Sequence, residues 1–146
     1  VTGCSTGEEA YSLALSLKMI QDQTKKYHLK FQIFATDLDQ DAIEKARKGV
    51  FTAKVVADIA PEILNRYFEA DRDNFRVNNT IREMVIFAPH NVIKDPPFTK
   101  LHLLMCRNSF LDTTNERDEG VETNVNNNTF INKFYNSFLK QLSLIF

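Results

Sequence analysis

Apolar positions along this chain follow two rhythms. Ala10, Leu13, Ala14, Leu17 and Ile20 fall at helical spacing, one face of a 3.6-residue period. Thr6 and Glu9 ahead of them stand in the S/T-x-x-E arrangement of a capping box. A helix is therefore predicted from near residue 7 to about residue 22. Phe31, Ile33 and Ala35 alternate with Gln32 and Phe34, which predicts an aromatic-rich strand over 31–35. Asp39 is placed to cap a second helix through Ala42, Ile43 and Ala46, which Gly49 ends. Pro61 suits the first turn of a third helix carrying Ile63, Leu64, Tyr67 and Phe68. Residues 71–79 read as a polar turn region around a short strand at 75–77. Two further strands are predicted at 84–88 and 101–105, with Pro96-Pro97 in the loop between them. Strand, helix, strand, helix in the first half predicts a parallel α/β sheet.

From Asp112 the pattern changes. Residues 112–128 are polar, and Asn124, Asn126, Asn127 and Asn128 have little reason to enter a core. Ile131, Phe134, Tyr135, Phe138, Leu139 and Leu142 then return at helical spacing. The reading is a long polar loop followed by one amphipathic helix.

Composition narrows the class without naming a function. With 146 residues, 43% hydrophobic and 25% charged, the chain has the make-up of one globular domain rather than a disordered or fibrous protein. Eighteen basic against nineteen acidic residues leave a net charge of -1, which argues against a phosphate backbone or an anionic membrane as the main partner. No apolar run approaches the roughly 20 residues a membrane span needs. Cys4 and Cys106 are too few for a disulfide framework and lack zinc spacing, so a reducing cytoplasm is the expected setting. The chain opens at Val1-Thr2-Gly3, already inside a motif, and the expectation is a piece of a larger domain.

That motif, Gly3-Cys4-Ser5-Thr6-Gly7-Glu8-Glu9, is the most informative stretch. Gly3 and Gly7 permit a tight strand-to-helix turn that a ligand can approach closely. The acidic pair Glu8-Glu9 would repel a phosphate at a helix start, so a cationic or hydroxyl-rich ligand suits this turn better. The alternative is a plain helix start with favourable charge at its positive end. Ser5 also fits the centre of a G-x-S-x-G nucleophile elbow, but His28, His90 and His102 sit in no supporting motif. Asp37, directly after the 31–35 run, stands where an acid accepts ribose hydroxyls in nucleotide-binding folds. Asp39 has a structural explanation as a cap and Asp37 has none, so Asp37 is the better ligand candidate. The interval from Gly3 to Asp37 exceeds the usual dinucleotide spacing of about 20 residues after the glycine motif, which counts against NAD. Asn91-Val92 and Cys106-Arg107-Asn108 follow two predicted strands and so face the same crevice. Asn91 could bond an adenine edge while Val92 packs on its face, or Asn91 could simply be a turn residue. Arg107 could hold a carboxylate in a fork or form a surface ion pair. Cys4 and Cys106 read as small buried residues rather than a redox pair.

Four separated pieces, Gly3-Cys4-Ser5-Thr6-Gly7-Glu8-Glu9-Ala10-Tyr11-Ser12, Ala35-Thr36-Asp37-Leu38-Asp39, Asn91-Val92 and Cys106-Arg107-Asn108, together resemble CheR-type chemotaxis protein-glutamate O-methyltransferases. Arg66-Tyr67-Phe68, Phe75-Arg76-Val77 and Ile81-Arg82-Glu83 are similar to the family as well. The run from Phe87 to Lys100 most resembles the version fused to a CheB-type methylesterase. The resemblance implies an incomplete Rossmann-like α/β sheet that binds S-adenosylmethionine, with a small antiparallel β insertion at about 61–87. It implies a partial methyltransferase domain over 1–111 and a divergent polar loop and helix over 112–146. Carried over position by position, Gly3, Glu9 and Asp37 would contact the cofactor, Asn91 and Val92 would flank its adenine, and Cys106 and Arg107 would line the reaction centre. Arg107 would be the catalytic residue, orienting the incoming glutamate. The implied product is S-adenosylhomocysteine, no metal is required, and the implied partner is a methyl-accepting chemotaxis receptor, with a CheB-type domain as a further one. The sequence departs from the family where Ser109-Phe110-Leu111 runs into Asp112 instead of a tyrosine, and where His102 replaces the usual aspartate. No match is seen after Asn108. The rival reading is a non-catalytic module that keeps cofactor or protein binding in chemotaxis-type signalling.

Overall fold

The structure, a computed structural model, describes residues 1–91 and 93–105. Helix α1 (Glu8–Thr24) buries Ala10, Leu13 and Ala14 of the predicted stripe, while Leu17 and Ile20 are only half-buried and Tyr11, Leu15 and Ser16 are buried beside it. Its start is built differently from the expected capping box. Gly7 is the N-cap at φ 93°, and no side chain caps the helix. Thr6 Oγ1 donates instead to the Glu8 carboxylate at 2.6–2.7 Å. A capping box needs the threonine itself at the cap, and here Thr6 lies one residue too early.

The following elements are β1 (Ile33–Asp37), α2 (Gln40–Lys48), β2 (Val50–Thr52), α3 (Ala53–Val56), α4 (Pro61–Tyr67), β3 (Phe68–Asp71), β4 (Asn74–Val77), α5 (Asn79–Arg82) and β5 (Val85–Pro89). β1 begins two residues later than the predicted 31–35 because its pairing with β5 starts at Ile33 and Val85. Asp37 is therefore the last strand residue rather than part of the following loop. Asp39 caps α2 as predicted, accepting from the amides of Asp41 and Ala42, and Gly49 closes that helix at φ 62°. Pro61 opens α4, but Phe68 leaves the helix and starts β3. The short helices α3 and α5 carry too few residues for periodicity to reveal them.

β1 and β5 run parallel in register, Ala35 opposite Phe87 and Asp37 opposite Pro89. The opening segment lies on the other side of β1. Thr2 bridges Thr36 in parallel, the Thr36 amide bonds the Val1 carbonyl at 2.8 Å, and the Thr2 amide bonds the Met105 carbonyl at 3.0 Å. The hydrogen-bonded order is thus residue 105, opening segment, β1, β5. That is one half of a doubly wound arrangement, with the opening segment beside the switch point. The strand predicted over 101–105 does not form. Apart from the Met105 carbonyl its tie to the sheet is slight, and Leu101, Leu103 and Leu104 remain exposed, whereas strands of parallel sheets are covered on both faces.

One face of the sheet packs on α1 and α2. Ile33, Ala35, Val85 and Phe87 are buried there with Ala14, Ile43 and Ala46. Tyr11 sits at the centre of this layer. Its ring meets Phe51 edge-on at 5.7 Å and Phe87 at 5.3 Å, and its hydroxyl donates to the Ala46 carbonyl at 2.9 Å. Burial pushes the Tyr11 phenol up to about 12, so it stays a neutral donor. On the opposite face Phe34 and Ile86, paired across the strands, stay partly exposed.

The three-stranded antiparallel sheet has the order β2-β4-β3. β3 and β4 fall within the 61–87 interval expected for the insertion, β2 precedes it, and β5 belongs to the parallel sheet. Asp22, in the last turns of α1, ties α4 to that helix. Its carboxylate accepts from Arg66 at 2.6 Å and from the Tyr67 hydroxyl at 3.0 Å, and it pairs with Lys18 at 3.0 Å. Burial opposes its ionisation, but the hydrogen bonds from Lys18 and Tyr67 and the charges of Lys18 and Arg66 outweigh it and hold the Asp22 carboxyl below its ordinary value. The polar loop and helix predicted over 112–146 lie outside the described residues.

Candidate functional site

Three left-handed residues in five shape the turn between the opening segment and α1: Gly3 at φ 64°, Ser5 at φ 46° and Gly7 at φ 93°. A Cβ on Gly7 would come within 3.0 Å of the Ala46 Cβ and 3.1 Å of the Phe87 ring. Only glycine lets α1 start this close to α2 and β5. Within the turn the Gly7 amide bonds the Cys4 carbonyl at 2.9 Å, and the Cys4 amide bonds the Thr36 carbonyl at 3.0 Å. Ser5 is exposed and its amide is committed to Asp37; it makes no hydrogen bond to a histidine among the described residues, so no elbow-type triad is assembled here.

Asp37 joins the pieces of the crevice. Oδ2 accepts from the Ser5 amide at 2.7 Å and Oδ1 from the Asp39 amide at 3.1 Å, while its backbone carbonyl accepts from the His90 amide at 3.0 Å. The expectation that Asp37 lacks a structural role is corrected: it pins the glycine turn, the start of α2 and the end of β5 to one point. Each carboxylate oxygen still has acceptor capacity beyond its single bond. Asn91 also carries a structural load. Its side-chain oxygen accepts from the amides of Ile93 and Lys94 at 3.0 and 3.1 Å, and its own amide donates to Asp95 Oδ2 at 2.7 Å. Its side-chain nitrogen makes no hydrogen bond among the described residues, leaving a donor beside the crevice.

The electrostatic sign of the turn can be read from Cys4. The thiol is buried and free; burial, then the Asp37 carboxylate and more weakly Glu9, push it up to about 11. Negative charge from Asp37 and, more weakly, Glu9 reaches the thiol, while the amino group of Val1 acts the other way. Asp37 at the end of β1 and Glu8-Glu9 at the start of α1 give this turn its local acidic character. Gly3, Glu9, Asp37 and Asn91 thus gather at the ends of the parallel strands. Val92, Cys106 and Arg107 lie outside the described residues.

Two hollows are found elsewhere. One of about 480 Å³ lies beside Tyr11, Arg47, Arg82 and Phe87; the other, about 290 Å³, lies beside Asp22, Tyr27 and Arg66. Neither borders the glycine turn, and the position of ligand sites at the carboxyl ends of parallel strands favours the crevice over both. Among the described residues no three His, Cys, Asp or Glu side chains gather to hold a metal ion, and no helix is long and apolar enough to cross a membrane. Sequence reasoning missed His90, whose amide meets Asp37 and whose ring packs on Phe98 at 4.7 Å; a histidine immediately before Asn91 was the available signal.

Strand order, left-handed glycine turn and strand-end acid define a mixed α/β domain with a parallel sheet beside a small antiparallel one. Residues 1–125 match the family described as CheR methyltransferase, SAM binding domain, and the chain belongs to that family. The match runs past Asn108, where the sequence reading saw the resemblance end. Among curated relatives, a chemotaxis protein methyltransferase of Borreliella burgdorferi is 30% identical over 146 residues, covering 98% of this chain and 48% of that protein. The chemotaxis protein methyltransferase of Escherichia coli is 30% identical over 125 residues, covering 78% and 42%. An uncharacterised 104.1 kDa protein of Rhodobacter capsulatus is 37% identical over 109 residues, covering 75% of this chain and 11% of its own length. The chain spans about half or less of these relatives.

Proposed function

We propose that this domain binds S-adenosylmethionine and serves methylation of glutamate side chains on chemotaxis receptors. The observation that carries the reading is the crevice between the glycine turn and Asp37. It gathers negative field and hydrogen-bond acceptors where a phosphate-bearing cofactor would need cations. Asp37 would accept the ribose hydroxyls, the Asn91 side-chain nitrogen would donate to the adenine, and Gly3 would let the backbone approach. Glu9 would face the cationic end.

When bound, the cofactor supplies a methyl group on a sulfonium, already electrophilic. The residues of this chain need supply little acid or base chemistry, because an ionised glutamate is already a nucleophile. Their work is alignment and exclusion of water, which supplies most of the rate in such transfers. Arg107, assigned by resemblance, would orient the incoming carboxylate. The relatives named chemotaxis protein methyltransferases support a receptor substrate, and the free thiol of Cys4 fits a cytoplasmic setting.

The test is transfer of labelled methyl from S-adenosylmethionine to a glutamate-bearing receptor helix, read as base-labile methyl ester. Label should appear with the wild-type protein and be lost in Asp37→Ala. Cofactor binding without any ester would favour the rival non-catalytic module, and binding unchanged by Asp37→Ala would refute the proposed adenosine end.

A further inference from the structure

We propose that His90 is a positioning residue for the adenine end of the crevice: its imidazole closes the 91–98 turn into the shape that presents Asn91. The inference rests on the reading of Asn91 as the adenine contact. His90 Nε2 lies 3.2 Å from the Pro96 carbonyl oxygen. A carbonyl only accepts, so Nε2 carries the proton. Nδ1 is buried and without a partner among the described residues. The ring also packs on Phe98 at 4.7 Å, and Phe98 stacks on Phe34 of β1 at 5.3 Å and 26°. The far end of the turn is thereby tied back to the sheet.

The composition of the turn explains why it needs this tie. Pro96 and Pro97 have no amide hydrogens, so this stretch of backbone can accept but not donate. The Pro96 carbonyl takes its hydrogen bond from a side chain, His90, six residues away. The near end is closed by Asn91 and Asp95. Among the described residues the intervening side chains bury little, with Ile93 73% exposed, so hydrogen bonds and the ring stack hold the turn rather than a core. Loss of the His90 bond would free the segment that fixes the direction of the Asn91 amide.

Glutamine and asparagine separate this role from general packing. A glutamine amide nitrogen can stand near the place of Nε2 and keep the Pro96 bond; an asparagine amide is too short. Binding of S-adenosylhomocysteine to the full chain should stay within about threefold of wild type in His90→Gln. It should weaken about tenfold in His90→Asn, toward the value of Asn91→Ala, while the two His90 variants melt at the same temperature. Equal affinities for His90→Gln and His90→Asn would overturn the inference, as would a His90→Asn defect with Asn91→Ala unaffected. A folded wild-type protein that binds no S-adenosylhomocysteine would instead refute the cofactor reading, and this inference with it.

Discussion

Replacing Gly7 by alanine tests the turn on which the crevice depends. Gly7 adopts φ 93°, a conformation that costs an L-residue roughly 1–2 kcal/mol. The added methyl would stand 3.0 Å from the Ala46 Cβ and 3.1 Å from the Phe87 ring. Neither is the loose end of a flexible chain, because Ala46 is fully buried and Phe87 is wedged against Tyr11 at 5.3 Å. Overpacking of this kind costs about 1–3 kcal/mol. Gly7→Ala should therefore lose about 2–5 kcal/mol, and with a urea slope of about 2 kcal/mol/M the unfolding midpoint should fall by about 1–2.5 M. Ala46→Gly separates the two contributions. By itself it costs about 1 kcal/mol as a helix-interior glycine, but it removes the closest clash. The double variant should then be more stable than the sum of the single effects by about 1 kcal/mol. A Gly7→Ala protein within about 0.5 kcal/mol of wild type would refute the reasoning.

Three further outcomes follow from the same geometry. The Asp22 carboxyl titrates lower in the folded protein than its ordinary 3.8, so its stabilisation is fully present above that value and is lost as pH falls through the lower folded one. The stability gap between wild type and Asp22→Asn should narrow as pH falls below about 4 in urea titrations; a gap that does not depend on pH would contradict the assignment. In a Cys106→Ser background, folded Cys4, with its thiol at about 11 rather than 9.0, should react with iodoacetamide at pH 8 roughly a hundredfold more slowly than the unfolded chain. Arg47 donates to the Phe87 carbonyl from Nε at 3.2 Å and from a terminal nitrogen at 2.9 Å, covering the outer edge of β5, which pairs only with β1 among the described residues. Arg47→Met should cost about 1–2 kcal/mol and raise self-association in sedimentation, because an uncovered strand edge invites pairing.

What could be read from the sequence follows from how local each signal is. α1 and α2 were legible because their apolar stripes repeat over several turns and because Asp39 and Gly49 mark the ends of α2 through local backbone chemistry. The cap of α1 misled, because Thr6 and Glu9 have the right spacing for a box while the sharp turn through Gly3, Ser5 and Gly7 moves the helix start to Gly7. β1 was displaced by two residues since an alternating run does not say where pairing begins; Val85 decides that from across the sheet. The strand expected over 101–105 had an apolar sequence, yet Leu101, Leu103 and Leu104 stay exposed and no strand forms there among the described residues. At the site, Gly3, Glu9, Asp37 and Asn91 were legible as residue types in order, whereas the Asp37 bonds to Ser5 and Asp39 and the contact of His90 with Pro96 depend on tertiary approach. No pattern along the chain encodes those distances.

The central claim is that the acidic crevice between the glycine turn and Asp37 takes an adenosyl cofactor without phosphate in preference to a phosphate-bearing one. Calorimetric titration of the chain with S-adenosylhomocysteine, and in parallel with NAD, tests it most directly. The account predicts one-site binding of S-adenosylhomocysteine in the micromolar range and none of NAD. A folded protein that gives no heat with S-adenosylhomocysteine, or that binds NAD as tightly, would contradict it.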